Sequence, residues 1–125
     1  MKLRFRVNSI RLRLLRSEID KLRGGDGFIS EKIQFGASET LTYTLKISKA
    51  ANEISARFER NEIVVKIPKD AARDWIETNL VGLESEQQID ENTRLQITIE
   101  KDFVCPDRPA DADNADAFPN PKTNC

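Results

Sequence analysis

The chain has 125 residues, a formal net charge of −1, and charged side chains at 33% of its positions. This length fits a domain with a real hydrophobic core. The absence of histidine excludes zinc sites of the Cys/His type and histidine-based catalytic triads, and the two cysteines do not suggest a disulfide framework.

Charge is distributed unevenly along the chain. Residues 1–16 carry six positive charges and no acid, so residues 17–125 carry a net charge of −7. A protein that coats nucleic acid is usually basic throughout, so this distribution argues against nucleic acid. It favours contacts between oppositely charged parts of the same chain, with a local anion site as the exception. No apolar run is long enough to span a membrane, and the basic start lacks the apolar segment of a secretory signal. We therefore expect a cytoplasmic protein without a membrane partner.

Basic and apolar residues alternate at the start of the chain, and the alternation changes phase. Arginines occupy even positions at Arg4 and Arg6, then odd positions at Arg11 and Arg13. Because side chains of a strand alternate between its faces, an unbroken strand would place the two pairs on opposite faces. A two-residue hairpin turn at Asn8-Ser9 pairs Arg6 with Arg11 and Arg4 with Arg13, which brings all four to one face. A bulge there would restore the phase without reversing the chain.

Four arginines on one face repel one another, so a negative group should lie over them. One source is intramolecular, either other carboxylates of the domain or the acidic tail of the chain. The other is an anionic ligand, because guanidinium groups bind phosphates and carboxylates through paired donors. We therefore predict an anion-binding face formed by Arg4, Arg6, Arg11 and Arg13.

The elements that follow are predicted from capping signals and periodicity. Ser17, with Asp20 three residues later, predicts the N-cap of a short helix that ends at the glycines 24–27. Alternating apolar residues predict five further strands, at residues 28–35, 40–48, 54–59, 63–67 and 94–103. A turn at Arg60-Asn61 joins the third and fourth of these, and residues 81–92 are expected to form a long connection.

Three side chains of this region have predicted roles. Asp70 is expected to cap a second helix that runs to residue 79, and Trp75 to anchor that helix on the sheet. Tyr43 falls on an apolar strand face and is expected in the core. Glu100 is a partner for the arginine face if the last strand returns beside the first.

The composition changes after Val104, where four prolines and a series of aspartates predict an irregular tail, residues 105–125, that follows an α+β domain of residues 1–104. The tail aspartates could neutralise the arginine face while Phe118 holds the tail in an apolar groove. Asp111, Asp113 and Asp116 are also the candidates for binding a hard cation, although they lack the glycine turn and distal glutamate of a calcium loop. We expect no cofactor.

Several motifs resemble a family of small uncharacterised bacterial proteins over nearly the whole chain. They are Asn8-Ser9-Ile10-Arg11-Leu12-Arg13-Leu14, Ser17-Glu18, Phe35-Gly36, Leu41-Thr42-Tyr43, Glu100-Lys101-Asp102-Phe103-Val104-Cys105 and Phe118-Pro119-Asn120-Pro121. The resemblance implies a domain to which the tail belongs, and it implies no particular activity.

An antiparallel sheet with one charged face is also similar to the triphosphate tunnel metalloenzymes, whose basic lumen grips phosphates. That family opens with a Glu-x-Glu-x-Lys strand whose glutamates hold metal, whereas this chain has Lys2, Arg4 and Arg6 there. An enzyme of this kind would have to hold magnesium through other carboxylates. The available ones are Glu59, Glu62, Glu100 and the tail aspartates.

These observations predict an α+β fold with about seven mostly antiparallel strands in a curved or barrel-like sheet, two short helices and an irregular acidic tail. The predicted function is a non-enzymatic binding or interaction module. Its arginine face would meet an acidic protein, a phosphate-bearing small molecule or its own tail. The alternative is a metal-dependent enzyme that acts on a phosphorylated substrate.

Overall fold

The computed structural model describes residues 1–24, 27–105 and 112–120. Within these ranges the elements are β1 Lys2–Arg6, β2 Ser9–Leu14, α1 Arg16–Gly24, β3 Phe28–Gln34, β4 Thr40–Ser48, β5 Ser55–Glu59, β6 Glu62–Pro68, α2 Lys69–Glu77, β7 Gly82–Gln88, β8 Arg94–Lys101 and α3 Ala112–Ala115. None of the helices in these ranges has the length and apolar character needed to cross a membrane.

The strands form two four-stranded sheets, in the orders β1-β2-β8-β7 and β3-β4-β6-β5. In each sheet the central pair is parallel and the two outer pairs are antiparallel. The predicted α+β class is confirmed, but the predicted arrangement is wrong in detail, because there are two open mixed sheets of four strands and not one sheet of seven. Strand periodicity does not report which strands pair, and both parallel pairs join strands that are not consecutive in the sequence.

The chain repeats one arrangement twice. The order hairpin β1–β2, helix α1, hairpin β3–β4 is followed by hairpin β5–β6, helix α2, hairpin β7–β8. If each strand is replaced by its equivalent in the other half, the order β1-β2-β8-β7 becomes β5-β6-β4-β3, which is the order of the other sheet read in reverse. The sequence keeps traces of this equivalence, since Arg57-Phe58 and Asn61 of the second hairpin correspond to Arg4-Phe5 and Asn8 of the first. Each sheet therefore contains one hairpin pair from each half.

The hydrophobic core lies between the two sheets and beneath the two longer helices. Its fully buried members are Leu12, Leu14, Ile19, Leu45, Val65, Ile67, Trp75, Ile97 and Ile99. Trp75 anchors helix α2, as predicted, and its indole Nε1–H donates to the carbonyl of Val81 at 3.1 Å. This bond satisfies the polar atom of the largest buried side chain.

The two longer helices begin differently from the prediction. Helix α1 begins at Arg16, so Leu15 and not Ser17 holds the N-cap position, and the Leu15 amide donates to the carboxylate of Glu18 at 2.9 Å. Helix α2 begins at Lys69 and its N-cap, Pro68, makes no side-chain capping bond. The predicted Asp70 cap is therefore wrong; Asp70 lies in the first helical turn, where a carboxylate is favourable because of the helix dipole.

Residues 82–88 form strand β7 where a long connection was predicted. The strand escapes a periodicity search because it lies at a sheet edge and is mostly polar. Gly82 is required by a close approach, since a Cβ atom at this position would lie 2.7 Å from the carbonyl oxygen of Ile99. The Gln87 side chain exchanges two hydrogen bonds with the backbone of Ala56, at 2.7 and 3.0 Å, and so links β7 to β5 of the other sheet.

The described part of the tail packs against the domain. Helix α3 forms one turn within the tail that was expected to be irregular. Phe118 forms an isolated bridge with Phe103, and its amide donates to the carbonyl of Asp102 at 2.8 Å. Cys105 is disulfide-bonded and not a free thiol, and Cys125 lies outside the described residues.

Candidate anion-binding face

The first hairpin turns one residue earlier than predicted. Its turn residues are Val7 and Asn8, Val7 has a φ of 51°, and Arg4 faces Arg11 across the strand pair. The sequence favoured Asn8-Ser9 because a β-branched residue rarely adopts positive φ. The observed register differs from the predicted one by two residues. A shift by an even number of residues leaves each side chain on its predicted face, so the four arginines still share one face. The Arg60-Asn61 turn of the second hairpin is confirmed.

This face of the sheet is built from rows of side chains that cross β1, β2, β8 and β7. The rows are Lys2, Arg13, Glu100 and Gly82; then Arg4, Arg11, Thr98 and Glu84; then Arg6, Ser9, Gln96 and Glu86. The basic residues lie on the β1 and β2 side and the acidic residues on the β7 and β8 side. We call this surface the arginine face.

Glu100 occupies the position expected of it, because β8 pairs with β2. Arg13 Nε donates to Glu100 Oε1 at 2.6 Å, and Arg11 Nε lies 3.7 Å from the same oxygen. One carboxylate therefore serves two guanidinium groups. Lys2, at the start of β1, pairs with Asp102 at 2.7 Å.

Arg4 and Arg6 differ from these cations, since no carboxylate of residues 1–24, 27–105 or 112–120 lies within ion-pair distance of either. Together with Arg11 they line a concavity of about 110 Å³, whose other walls include Gln96 and Thr98. Glu84 is three strands away from Arg4, about 14 Å at the usual strand spacing, which exceeds the Debye length at physiological salt. Among the described residues, the positive charges of Arg4 and Arg6 in this concavity therefore have no carboxylate paired with them.

The tail does not supply that charge through the aspartates that the structure describes. Asp113 lies 4.0 Å from Lys2, at the opposite end of β1 from Arg6, and Asp116 binds the start of helix α1. Neither of these two aspartates lies within ion-pair distance of Arg4, Arg6, Arg11 or Arg13, so their expected neutralisation of the four arginines is wrong. Asp107 and Asp111 lie outside the described residues. Phe118 does pack on the core, with the guanidinium of Arg16 5.8 Å from its ring centroid.

The carboxylates of the enzyme hypothesis are not gathered together. Glu59 and Glu62 face each other on the hairpin β5–β6, whereas Glu100 belongs to the other sheet. Asp113 and Asp116 bind different groups. Across the part of the chain that the structure describes, no three acidic or cysteine side chains are placed to hold a metal ion.

A second polar cluster, which the sequence did not reveal, lies around Tyr43. The Tyr43 hydroxyl bonds to the carbonyl of Met1 at 2.9 Å and to Glu31 at 2.7 Å, and the α-ammonium of Met1 binds both Glu31 and Glu18. Burial and the bond to Glu31 raise the pKa of Tyr43 to about 12. Burial alone would raise the pKa of Glu31, but the bonds from the ammonium and from Tyr43 outweigh it and lower that pKa. These groups satisfy one another, so the cluster is structural.

Comparison with known proteins places the chain in a family without a described activity. No curated protein and no solved structure matches it. A family model matches residues 1–122, which include the whole arginine face and most of the tail. The chain therefore belongs to DUF7009, a family of unknown function.

Proposed function

We propose that this protein is a non-enzymatic binding module that holds an anionic group in the concavity beside Arg4, Arg6 and Arg11. The observation that carries the proposal is the difference among the cations of the arginine face. Lys2, Arg11 and Arg13 each have a carboxylate within 4.0 Å, whereas Arg4 and Arg6 have none among the described residues. Like charges held side by side without a partner cost stability, so an anionic ligand that neutralises them would stabilise the folded chain.

The chemistry of the concavity suits a phosphate or carboxylate group. Guanidinium groups present planar pairs of N–H donors that match the oxygen spacing of both anions. Gln96 and Thr98 add neutral donors on β8, which pairs with β2. The volume of about 110 Å³ is several times the share of one water molecule, so one such group fits while the remainder of the ligand stays outside.

The ligand is therefore either a small phosphate-bearing molecule or the carboxylates of an acidic protein. Both would bind weakly to moderately and with a strong salt dependence, because the arginines are exposed and surface charges are screened. We use pyrophosphate as the probe, since it presents two phosphate groups to adjacent guanidinium groups.

The test is the melting temperature of the full chain with pyrophosphate, with and without Mg²⁺. The proposal predicts that pyrophosphate alone raises the melting temperature at low salt, because a ligand that binds only the folded state stabilises it. An increase that requires Mg²⁺ would favour the metal-dependent enzyme instead. No increase under either condition would contradict both functions.

A further inference from the structure

An apolar groove opens between the two sheets at the tips of their hairpins and encloses about 450 Å³. Three pairs of apolar residues line it, namely Phe5 with Phe58, Ile10 with Ile63, and Leu41 with Leu95. The members of each pair occupy equivalent positions in the two halves of the chain. The groove therefore lies where the two halves meet, at the end of the sheets that neither long helix covers.

Two large apolar side chains of the groove are more exposed than is usual on the inward face of a hairpin. Phe5 and Phe58 remain 59% and 67% exposed, although both belong to the inward, apolar faces of their hairpins. Large apolar patches on a water-soluble surface usually mark sites of binding. The enclosed volume also falls in the range of small-molecule pockets.

The two halves of the chain contribute different charges around the groove. Val7 stands fully exposed at the tip of the first hairpin, whereas its equivalent in the second hairpin is Arg60. Arg57 lines the groove, whereas its equivalent, Arg4, lines the concavity on the arginine face. One end of the groove is therefore apolar and the other is cationic.

Arg57 is available to a ligand. Its Nε atom lies 3.6 Å from a carboxylate oxygen of Glu59, and more than half of each side chain is exposed. An ion pair of this kind contributes little to stability, so a ligand carboxylate can replace it at little cost. The other polar residues that line the groove, Asn8 and Ser9, are uncharged.

We infer that this groove binds a monomeric amphipathic anion, such as a medium-chain carboxylate. The alkyl chain lies between Phe5 and Phe58, and the carboxylate binds Arg57. This site is distinct from the proposed anion site, because Arg4 and Arg6 project from the other face of β1 and do not line the groove, although Ser9 and Ile10 contribute to both.

The test is a calorimetric titration of the full chain with decanoate below its critical micelle concentration. We expect binding of decanoate, and weaker binding of octanoate by about 16-fold, since octanoate has two fewer methylenes and each buried methylene strengthens binding about fourfold. Phe58→Ser should weaken decanoate binding by about tenfold or more. Phe35→Ser is the matched control, because Phe35 is 71% exposed and lies outside the groove.

The role of Arg57 is tested with decan-1-ol, which has the same chain without the charge. The wild-type chain should prefer decanoate, and Arg57→Gln should remove that preference while Arg73→Gln, on helix α2, retains it. Failure of millimolar decanoate to bind, or equal losses for Phe58→Ser and Phe35→Ser, would overturn the inference. Binding to phosphatidylglycerol vesicles without binding of monomeric decanoate would also overturn it. A dimer that forms through Phe58 and does not dissociate in decanoate would overturn it as well.

Discussion

Tyr43 is buried on strand β4, and its hydroxyl is hydrogen-bonded to the carbonyl of Met1 and to Glu31. The alternation along β4 predicts that its side chain is buried, and only 7% of it is exposed. Its partner Glu31 was not predicted, because Glu31 comes to face Tyr43 only through the register of the β3–β4 hairpin. Periodicity assigns a face to a residue, whereas a hydrogen-bond partner depends on the register of another strand.

The pKa of Tyr43 gives a prediction with a defined sign. The ordinary tyrosine pKa is 10.0, and in the folded chain it is raised to about 12, so the folded state favours the protonated hydroxyl. Its contribution to stability is therefore complete below pH 10 and is lost as the pH rises from 10 to about 12. Because the chain has one tyrosine, the ultraviolet absorbance of tyrosinate measures this group alone.

The titration should show a midpoint near pH 12 for the folded chain and near 10 for the chain unfolded in denaturant. A Tyr43→Phe variant should lack the corresponding loss of stability between these pH values, although it will be less stable at neutral pH because the bonds to Met1 and Glu31 are removed. Coincident midpoints for the folded and unfolded chains would show that the hydroxyl is not held in this cluster.

Helix α1 depends on a residue from the other end of the chain. Its N-cap residue is Leu15, which has no side-chain oxygen, and Asp116 accepts hydrogen bonds from the Ser17 amide at 3.3 Å and from the Ser17 hydroxyl at 2.5 Å. The Arg16 amide also donates to the carbonyl of Asp116 at 3.0 Å. The tail thus supplies the cap that the local sequence lacks.

Asp116→Ala should lower the free energy of unfolding by about 1 kcal/mol, the usual value for the loss of an N-cap. Urea unfolding measures this change. Asp113→Ala is the matched control, because Asp113 is exposed and its ion pair with Lys2 is long, at 4.0 Å. Equal stabilities for the two variants would show that Asp116 does not cap helix α1.

Some features of the strands were predicted correctly and others were not, and each outcome has a physical reason. The phase change of the arginines predicted the shared face of the first hairpin correctly, but not its register, because Val7 and not Asn8 takes the positive φ. Strand β7 was missed because an edge strand needs little apolar alternation. Comparison of the two halves would have revealed it, since β7 is the equivalent of β3, which periodicity did predict.

At the scale of the whole molecule, both candidate sites follow from the hairpin–helix–hairpin arrangement that the chain repeats twice. It joins hairpins from the two halves in each sheet, which places β8 beside β2 and brings Glu100 to Arg13. It also leaves the apolar tips of the two halves facing one groove. The sequence predicted the approach of Glu100 only on the condition that the last strand returns to the start of the sheet, and it did not predict the groove. Both depend on pairings between the two halves of the chain, which the periodicity of single strands does not report.

The central claim is that Arg4 and Arg6 bind an anion that the described part of the protein does not provide. A calorimetric titration with pyrophosphate at low salt, on the full chain and on two double variants of equal charge, tests it most directly. The account predicts that the Arg4→Gln, Arg6→Gln variant loses affinity by about tenfold or more, since hydrogen bonds to charged groups contribute about 1.5–3 kcal/mol each. The Lys69→Gln, Arg73→Gln variant, changed on helix α2, should retain the wild-type affinity. Equal affinities for both variants would contradict the account.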